Sequence, residues 1–192
     1  VGGAGYIGSI LCRKLLTENY QIRAVDNFSF GGESLLPLLD NKNFQIKKGD
    51  ITNQKDILYS LQDINTVINL AALVGDHACQ PQPHLAWRIN HKAAVALAKE
   101  SKKIGIKRFI FASTCSNYGI SNSSELATEE SELKPISIYA ETKVKAEKDI
   151  LSLRDKNFHP CVLRLATVFG ISPRMRFDLL LNELLRDTFV FK

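Results

Sequence analysis

Tyr139 and Lys143 stand four positions apart, so on a helix they present a phenol and an ammonium on one face. A phenol with its ordinary pKa of about 10 is a poor base near neutrality, and an adjacent cation favours the phenolate. The pair therefore suits proton exchange with a hydroxyl. The same spacing also arises by chance, as an interface tyrosine beside a solvated lysine. Thr114, a hydroxyl residue just past the run Phe109-Ile-Phe-Ala-Ser113, turns the pair into a constellation.

A second chemical signal lies at the start of the chain. In Gly2-Gly3-Ala4-Gly5-Tyr6-Ile7-Gly8, the residues Gly3, Gly5 and Gly8 fit G-x-G-x-x-G, while Gly2, Gly5 and Gly8 fit G-x-x-G-x-x-G. Glycine lets backbone N–H groups approach a phosphate closely, and a helix starting there adds a favourable dipole. A glycine-rich loop without a ligand would have the same composition. Asp26 separates the two readings, because a carboxylate at a strand end about 20 residues on accepts both ribose hydroxyls of an adenosine. It would also repel a 2′-phosphate, so NAD is expected over NADP. The alternative for Asp26 is a loop cap.

Positioning these groups requires alternating strands and helices. The turn leads into a helix over Ile7–Glu18, then a strand over Gln21–Val25 and a polar loop with Asn27 and Gly31-Gly32. Strand patterns recur at Phe44–Lys48, Thr66–Leu70, Arg108–Ala112 and Cys161–Leu165. An alanine-rich helix is expected over Leu85–Ile104, closed by Gly105, and another over Tyr139–Leu153. The alternation predicts an α/β fold with a doubly wound parallel sheet of the Rossmann type. Ser121–Glu132 is a polar, low-complexity stretch read as a mobile loop, and its sequon at Asn122 is read as coincidence.

The chain reads as a fragment. A buried strand of about 5 residues should precede such a glycine turn, yet only Val1 does. At the other end Asn182–Lys192 reads as the beginning of another strand. The N-terminal strand and most of a C-terminal substrate domain are thus expected to be missing. Residues 1–170 are expected to form the dinucleotide-binding domain, and 171–192 the start of a substrate-binding region.

Composition narrows the class. The 192 residues are 45% hydrophobic and 23% charged, ordinary globular values, with a formal charge of +5. The positive charge sits in scattered pairs such as Lys47-Lys48 and Lys102-Lys103, which read as solvated faces, so no nucleic-acid partner is expected. No apolar run approaches the roughly 20 residues needed to cross a bilayer, and no membrane association is expected. Cys12, Cys79, Cys115 and Cys161 lie far apart and fit reduced thiols in a cytoplasm. His77, His84, His91 and His159 show no ligand spacing, so no metal site is expected and each reads as a surface or loop histidine.

With these motifs in place the chain resembles the extended short-chain dehydrogenase/reductase family, in particular its NAD-dependent nucleotide-sugar epimerases and dehydratases of the 4-epimerase kind. The resemblance spans nearly the whole chain. It rests on Gly2–Gly8, Asp26-Asn27, Gly49-Asp50-Ile51, Asn69-Leu-Ala-Ala72, Asn90, Ser113-Thr-Cys-Ser-Asn-Tyr-Gly119, Tyr139-x-x-x-Lys143 and Arg164-Leu-Ala-Thr-Val-Phe-Gly170. The likeness implies a cofactor site of Gly2, Gly5, Tyr6, Ile7, Gly8, Asp26, Asn27, Asp50, Ile51, Leu70, Ala71, Ala72, Asn90, Tyr139 and Lys143. Within it Asp50 and Ile51 would hold the adenine end, Ala71-Ala72 would line the nicotinamide side, and Lys143 would bind the nicotinamide ribose. It also implies that Thr114, with Ser113 as the alternative, works with Tyr139 and Lys143 in catalysis.

Departures from the family pattern are informative. Dehydratases carry Asp-Glu immediately after the catalytic threonine, where this chain has Cys115 and Ser116, so elimination and decarboxylation are disfavoured. Val1 replaces a common threonine, and Thr167 stands where epimerases often have asparagine. The expected activity is redox epimerisation of a nucleotide-activated hexose, at C4, through a keto intermediate. Thr114, Thr167, Arg174 and Arg176 form the expected substrate side, the two arginines reaching the diphosphate or, alternatively, lying in a solvated loop. A keto-sugar reductase or dehydratase of the same family is one alternative, and a non-catalytic dinucleotide-binding regulatory protein another. A homodimer is expected through Leu85–Ile104 and Tyr139–Leu153, with Ala93, Ala96, Ala140 and Ala146 permitting close helix approach, unless these alanines pack on the sheet.

Overall fold

A computed structural model describes residues 1–120 and 126–190; the sequon and the first part of the polar loop, 121–125, and the last two residues lie outside them. In chain order the elements are α1 (Tyr6–Thr17), β1 (Ile22–Asp26), β2 (Phe44–Lys48), α2 (Gln54–Ser60), β3 (Thr66–Asn69), α3 (Asp76–Cys79) and α4 (Pro83–Ala86). A π-helical stretch Trp87–Ala93 then leads into α5 (Ala94–Lys103), β4 (Arg108–Thr114), α6 (Ile138–Leu151), β5 (His159–Leu165) and α7 (Leu180–Val190).

The chain forms two compact units. One comprises Val1–Gly49 and Thr167–Lys192. Its strands β1 and β2 run parallel, with Ile22 beside Phe44 and Asp26 beside Lys48. Buried Ala4, Cys12, Leu16, Ala24, Leu35 and Phe44 make its core. Helix α1 starts directly from the glycine turn, with Gly5 as an extended N-cap. Gly8 must be glycine, because a Cβ there would collide with Gly2 O and lie 2.8 Å from the Gly3 Cα.

The other unit is Asp50–Ala166, where β3, β4 and β5 form a parallel sheet in that order. Phe109 and Phe111 on β4 are wholly buried, as are Leu97 on α5, Ile150 on α6 and Phe158 ahead of β5. On this middle strand buried Phe109 and Phe111 alternate with half-buried Ile110 and Ala112, as on a parallel sheet with both faces at least partly covered. Pro83 opens the helical run at its first turn, where a missing N–H costs no bond.

Two expectations are corrected. The strand read at Asn182–Lys192 is helix α7 over its described part. Leu180, Leu181, Leu184 and Leu185 recur at helical spacing, Glu183 and Arg186 pair at 3.7 Å, and the β-like Thr188-Phe-Val190 merely ends the helix. The expected α/β fold with parallel strands stands, the described strands pairing as β1-β2 in one unit and β3-β4-β5 in the other. The helix expected over Leu85–Ile104 is present, and it contains the π-helical stretch, in which Asn90 is fully buried. His91 is neither a surface nor a loop residue, since it pairs from this stretch with Asp149 of α6 at 2.7 Å. Of the alanines, Ala93, Ala140 and Ala146 are buried within the chain itself, and α6 packs against both the π-helical stretch and α5. Their small size serves that internal approach.

Candidate active site

Helix α6 begins at Ser137, whose hydroxyl accepts the Ala140 N–H at 3.3 Å. Tyr139, Lys143 and Glu147 follow at successive turns, so one stripe carries phenol, ammonium and carboxylate. Lys143 is 2% exposed. Its Nζ donates to Ala112 O of β4 at 2.8 Å and lies 4.6 Å from the Phe111 ring centre and 5.9 Å from that of Tyr139. Loss of hydration pulls its pKa down to about 8, while Cys79 and Glu147 pull the other way.

The bond to Ala112 brings Lys143 to the strand end occupied by Thr114. Thr114 is buried. Its hydroxyl accepts the Ser116 N–H at 3.1 Å and donates to Ser116 Oγ at 3.1 Å, capping the short 3-10 turn Cys115–Tyr118. Ser113 faces the opposite side of the strand by alternation, and its Oγ accepts from Asn117 at 3.1 Å. Thr114, Tyr139 and Lys143 are thus gathered at the carboxyl end of β4, where parallel α/β sheets bind ligands.

Glu147 is a residue the motif spacing did not single out. Its carboxylate is 3% exposed and pairs with Arg164 of β5 at 2.9 Å. It also accepts from Asn117 at 2.6 Å. Arg164 in turn donates to Tyr118 Oη and to Glu129 O, each at 3.1 Å. The turn after Thr114 and helix α6 are therefore tied to one buried ion pair.

Residues assigned to the cofactor occur in both units. In the unit containing the glycine turn, Asp26 accepts from Ala4 N at 3.0 Å through Oδ2 and from Phe28 N at 2.9 Å through Oδ1. It does act as a cap, and each oxygen still has a lone pair for a hydroxyl. Asn27 accepts from Ser29 N at 3.0 Å. Helix α1 has no side-chain cap at its N-terminus, which leaves the first-turn N–H groups of Tyr6, Ile7 and Gly8 oriented as in an anion site.

Within Asp50–Ala166, Asp50 accepts from Thr52 N at 2.7 Å and Ile51 is buried. Leu70, Ala71 and Ala72 follow β3, with the Ala71 N–H on Asn69 Oδ1 at 3.1 Å. Asn90 braces the end of this segment: it accepts from Leu73 N at 2.8 Å and donates to Leu73 O at 2.9 Å and to Thr142 Oγ1 at 3.3 Å. Its amide thus works on the backbone next to the site and on the residue beside Lys143.

On the substrate side Thr167 is exposed. Arg174 lies over the Phe30 ring at 4.6 Å and donates to Met175 O at 2.7 Å, while Arg176 pairs with Asp178.

Residues 1–186 match the NAD dependent epimerase/dehydratase family. The chain is 29% identical over 184 residues to a UDP-glucose 4-epimerase of Bacillus subtilis, covering 91% of this chain and 53% of that protein. It is 26% identical over 181 residues to the decarboxylating sterol-4-alpha-carboxylate 3-dehydrogenase of Mus musculus, covering 88% and 45% respectively. Among solved structures, the UDP-glucuronic acid 4-epimerase from Bacillus cereus in complex with NAD superposes with a TM-score of 0.85 at 32% identity, covering 100% of this chain and 62% of that one. The chain thus spans about half the length of the curated relatives it matches. With a family match over nearly its whole length and the Tyr139, Lys143 and Thr114 cluster at a parallel strand end, the chain belongs to the NAD-dependent epimerase/dehydratase family.

Proposed function

We propose that this protein epimerises a nucleotide-activated sugar at C4 with NAD as cofactor. The observation that carries the reading is the buried Lys143 ammonium, fixed by Ala112 O beside Tyr139 at the strand end that bears Thr114. The printed names of relatives, UDP-glucose 4-epimerase and UDP-glucuronic acid 4-epimerase, support a UDP-sugar.

The residues present fit a dinucleotide. Gly5 has an ordinary φ of −74°, and a Cβ on it would meet nothing nearer than 3.4 Å. Packing within the protein thus leaves room there, and the close approach of a phosphate is the remaining reason for glycine. The uncapped start of α1 suits the pyrophosphate and Asp26 the adenosine ribose, with Asp50 and Ile51 toward the adenine. When bound, NAD supplies the hydride-accepting and hydride-donating ring.

Tyr139 removes the proton from the C4 hydroxyl and returns one to the C4 oxygen after the sugar has presented its other face. Lys143 favours the phenolate through its charge, and Thr114 orients the hydroxyl through its oxygen. Cys115 and Ser116 supply no acid–base pair for elimination, so water is retained. Arg174 and Arg176 turn to the diphosphate, and Thr167 to the sugar. The protein works in the cytoplasm, and its free thiols agree with that compartment.

Incubation with UDP-, GDP-, CDP- and dTDP-hexoses tests this. The 4-epimer of one of them forms with catalytic NAD and no added reductant, and NADP does not replace NAD. Product formed only with stoichiometric NADH would instead identify a reductase.

Lys143 gives a pH signature. The ammonium is present below about 8 and lost above it, so kcat falls as pH rises through that value. Stability moves the other way: between about 8 and the ordinary 10.5 the unfolded chain binds the proton that the folded one lacks, so Lys143's contribution rises with pH. In Lys143→Met that stability rise is absent. A wild-type kcat that stays level to pH 10 would contradict the assignment.

The protein also works as a homodimer through the helices α5 and α6, a reading supported by the family resemblance and not by the buried alanines. Light scattering at micromolar concentration gives a dimer mass, and an active monomer would rule it out.

A further inference from the structure

Tyr6 stands inside the glycine motif, yet its side chain reaches far along the chain. Its hydroxyl donates to Gly170 O at 2.6 Å and accepts from Asn182 Nδ2 at 3.0 Å. Asn182 is 3% exposed. Its second amide hydrogen goes to Arg176 O at 2.9 Å, and its Oδ1 accepts the Gly170 N–H at 3.1 Å. Every polar atom of the two side chains is paired, and both ends of the segment Gly170–Arg176 are held by them.

A second strap lies beside the first. Buried Ser172 donates to Tyr6 O at 2.8 Å and meets buried Ser9 Oγ at 3.1 Å. It also accepts the Arg174 N–H at 3.2 Å. The first turn of α1 is thereby bound to the loop that carries Arg174 and Arg176. A fully satisfied buried polar network specifies one geometry, since any slippage leaves a group unpaired.

We propose that Tyr6 and Asn182 are positioning residues for substrate: they hold the Gly170–Arg176 loop in register with the glycine turn, so that its arginines meet the nucleotide-sugar diphosphate. The proposal rests on the reading of Arg174 and Arg176 given above. It assigns the Tyr6 hydroxyl to the substrate loop, and only the Tyr6 backbone N–H to the cofactor turn.

Tyr6→Phe removes the hydroxyl and keeps the ring, and Asn182→Ala removes the other partner. Amide hydrogen exchange across 170–176, UDP-glucose affinity by calorimetry, NAD affinity and kcat are measured on each. Exchange across the loop speeds up and UDP-glucose binding weakens about tenfold, the scale of one lost hydrogen bond, and in Asn182→Ala kcat and NAD affinity stay within about twofold. Unchanged loop exchange in both variants would overturn the latch, and faster exchange with unchanged UDP-glucose affinity would overturn its role in positioning. Wild-type protein that binds no UDP-glucose would count against the substrate assignment, while loop exchange would still decide the latch.

Discussion

A carboxylate taken out of water must be paired, and Glu147, 3% exposed, meets that demand with Arg164 and Asn117. The pairing fixes the rotation of α6 against β4 and β5, because Glu147 sits on the same stripe as Lys143 and Tyr139. With the helix so turned, the Lys143 ammonium finds Ala112 O at the end of β4, with the Tyr139 ring centre 5.9 Å from it. Removing one partner of such a buried pair costs about 3–5 kcal/mol, because the other charge is stranded. The placing of Tyr139 and Lys143 thus depends on an ion pair outside the pair they form.

The same economy of contacts recurs in the other unit. Asp26 closes the glycine turn by accepting from Ala4 N and orders the following loop by accepting from Phe28 N. The cap and the ribose-binding reading are compatible, since a carboxylate oxygen accepts more than one hydrogen bond. Lys143 shows a related tension: burial that gives its charge reach in a low-dielectric setting also lowers its pKa. Charge is useful there only over a limited range of pH.

Periodicity and spacing in the sequence carry the local elements. Strand Phe44–Lys48 stands as expected, helices α1 and α6 differ from expectation by a residue or two at their ends, and Tyr139 and Lys143 share a face with Thr114 at the adjoining strand end. What was not legible is long-range or depends on balance. The Glu147–Arg164 pair and the Tyr6–Asn182 bond join residues far apart in the chain, and no local pattern announces such partners. The π-helical stretch at Asn90 serves a buried amide that must reach Leu73, which the alanine-rich pattern around it hides. At Asn182–Val190 the β-branched and aromatic tail suggested a strand, but leucine spacing and the Glu183–Arg186 pair prevailed. The alanines misled for a simpler reason: small residues mark close helix approach without saying which helix approaches.

In the proposed chemistry the Tyr139 phenol moves the proton at the sugar hydroxyl while Lys143 and Thr114 serve it. The most direct test is epimerisation by Tyr139→Phe, with NAD affinity and thermal unfolding measured on the same protein. Turnover falls roughly 10²- to 10⁴-fold, as for loss of a positioned acid–base group, with NAD affinity and fold unchanged. A phenylalanine variant that epimerises at nearly the wild-type rate would contradict that role of Tyr139.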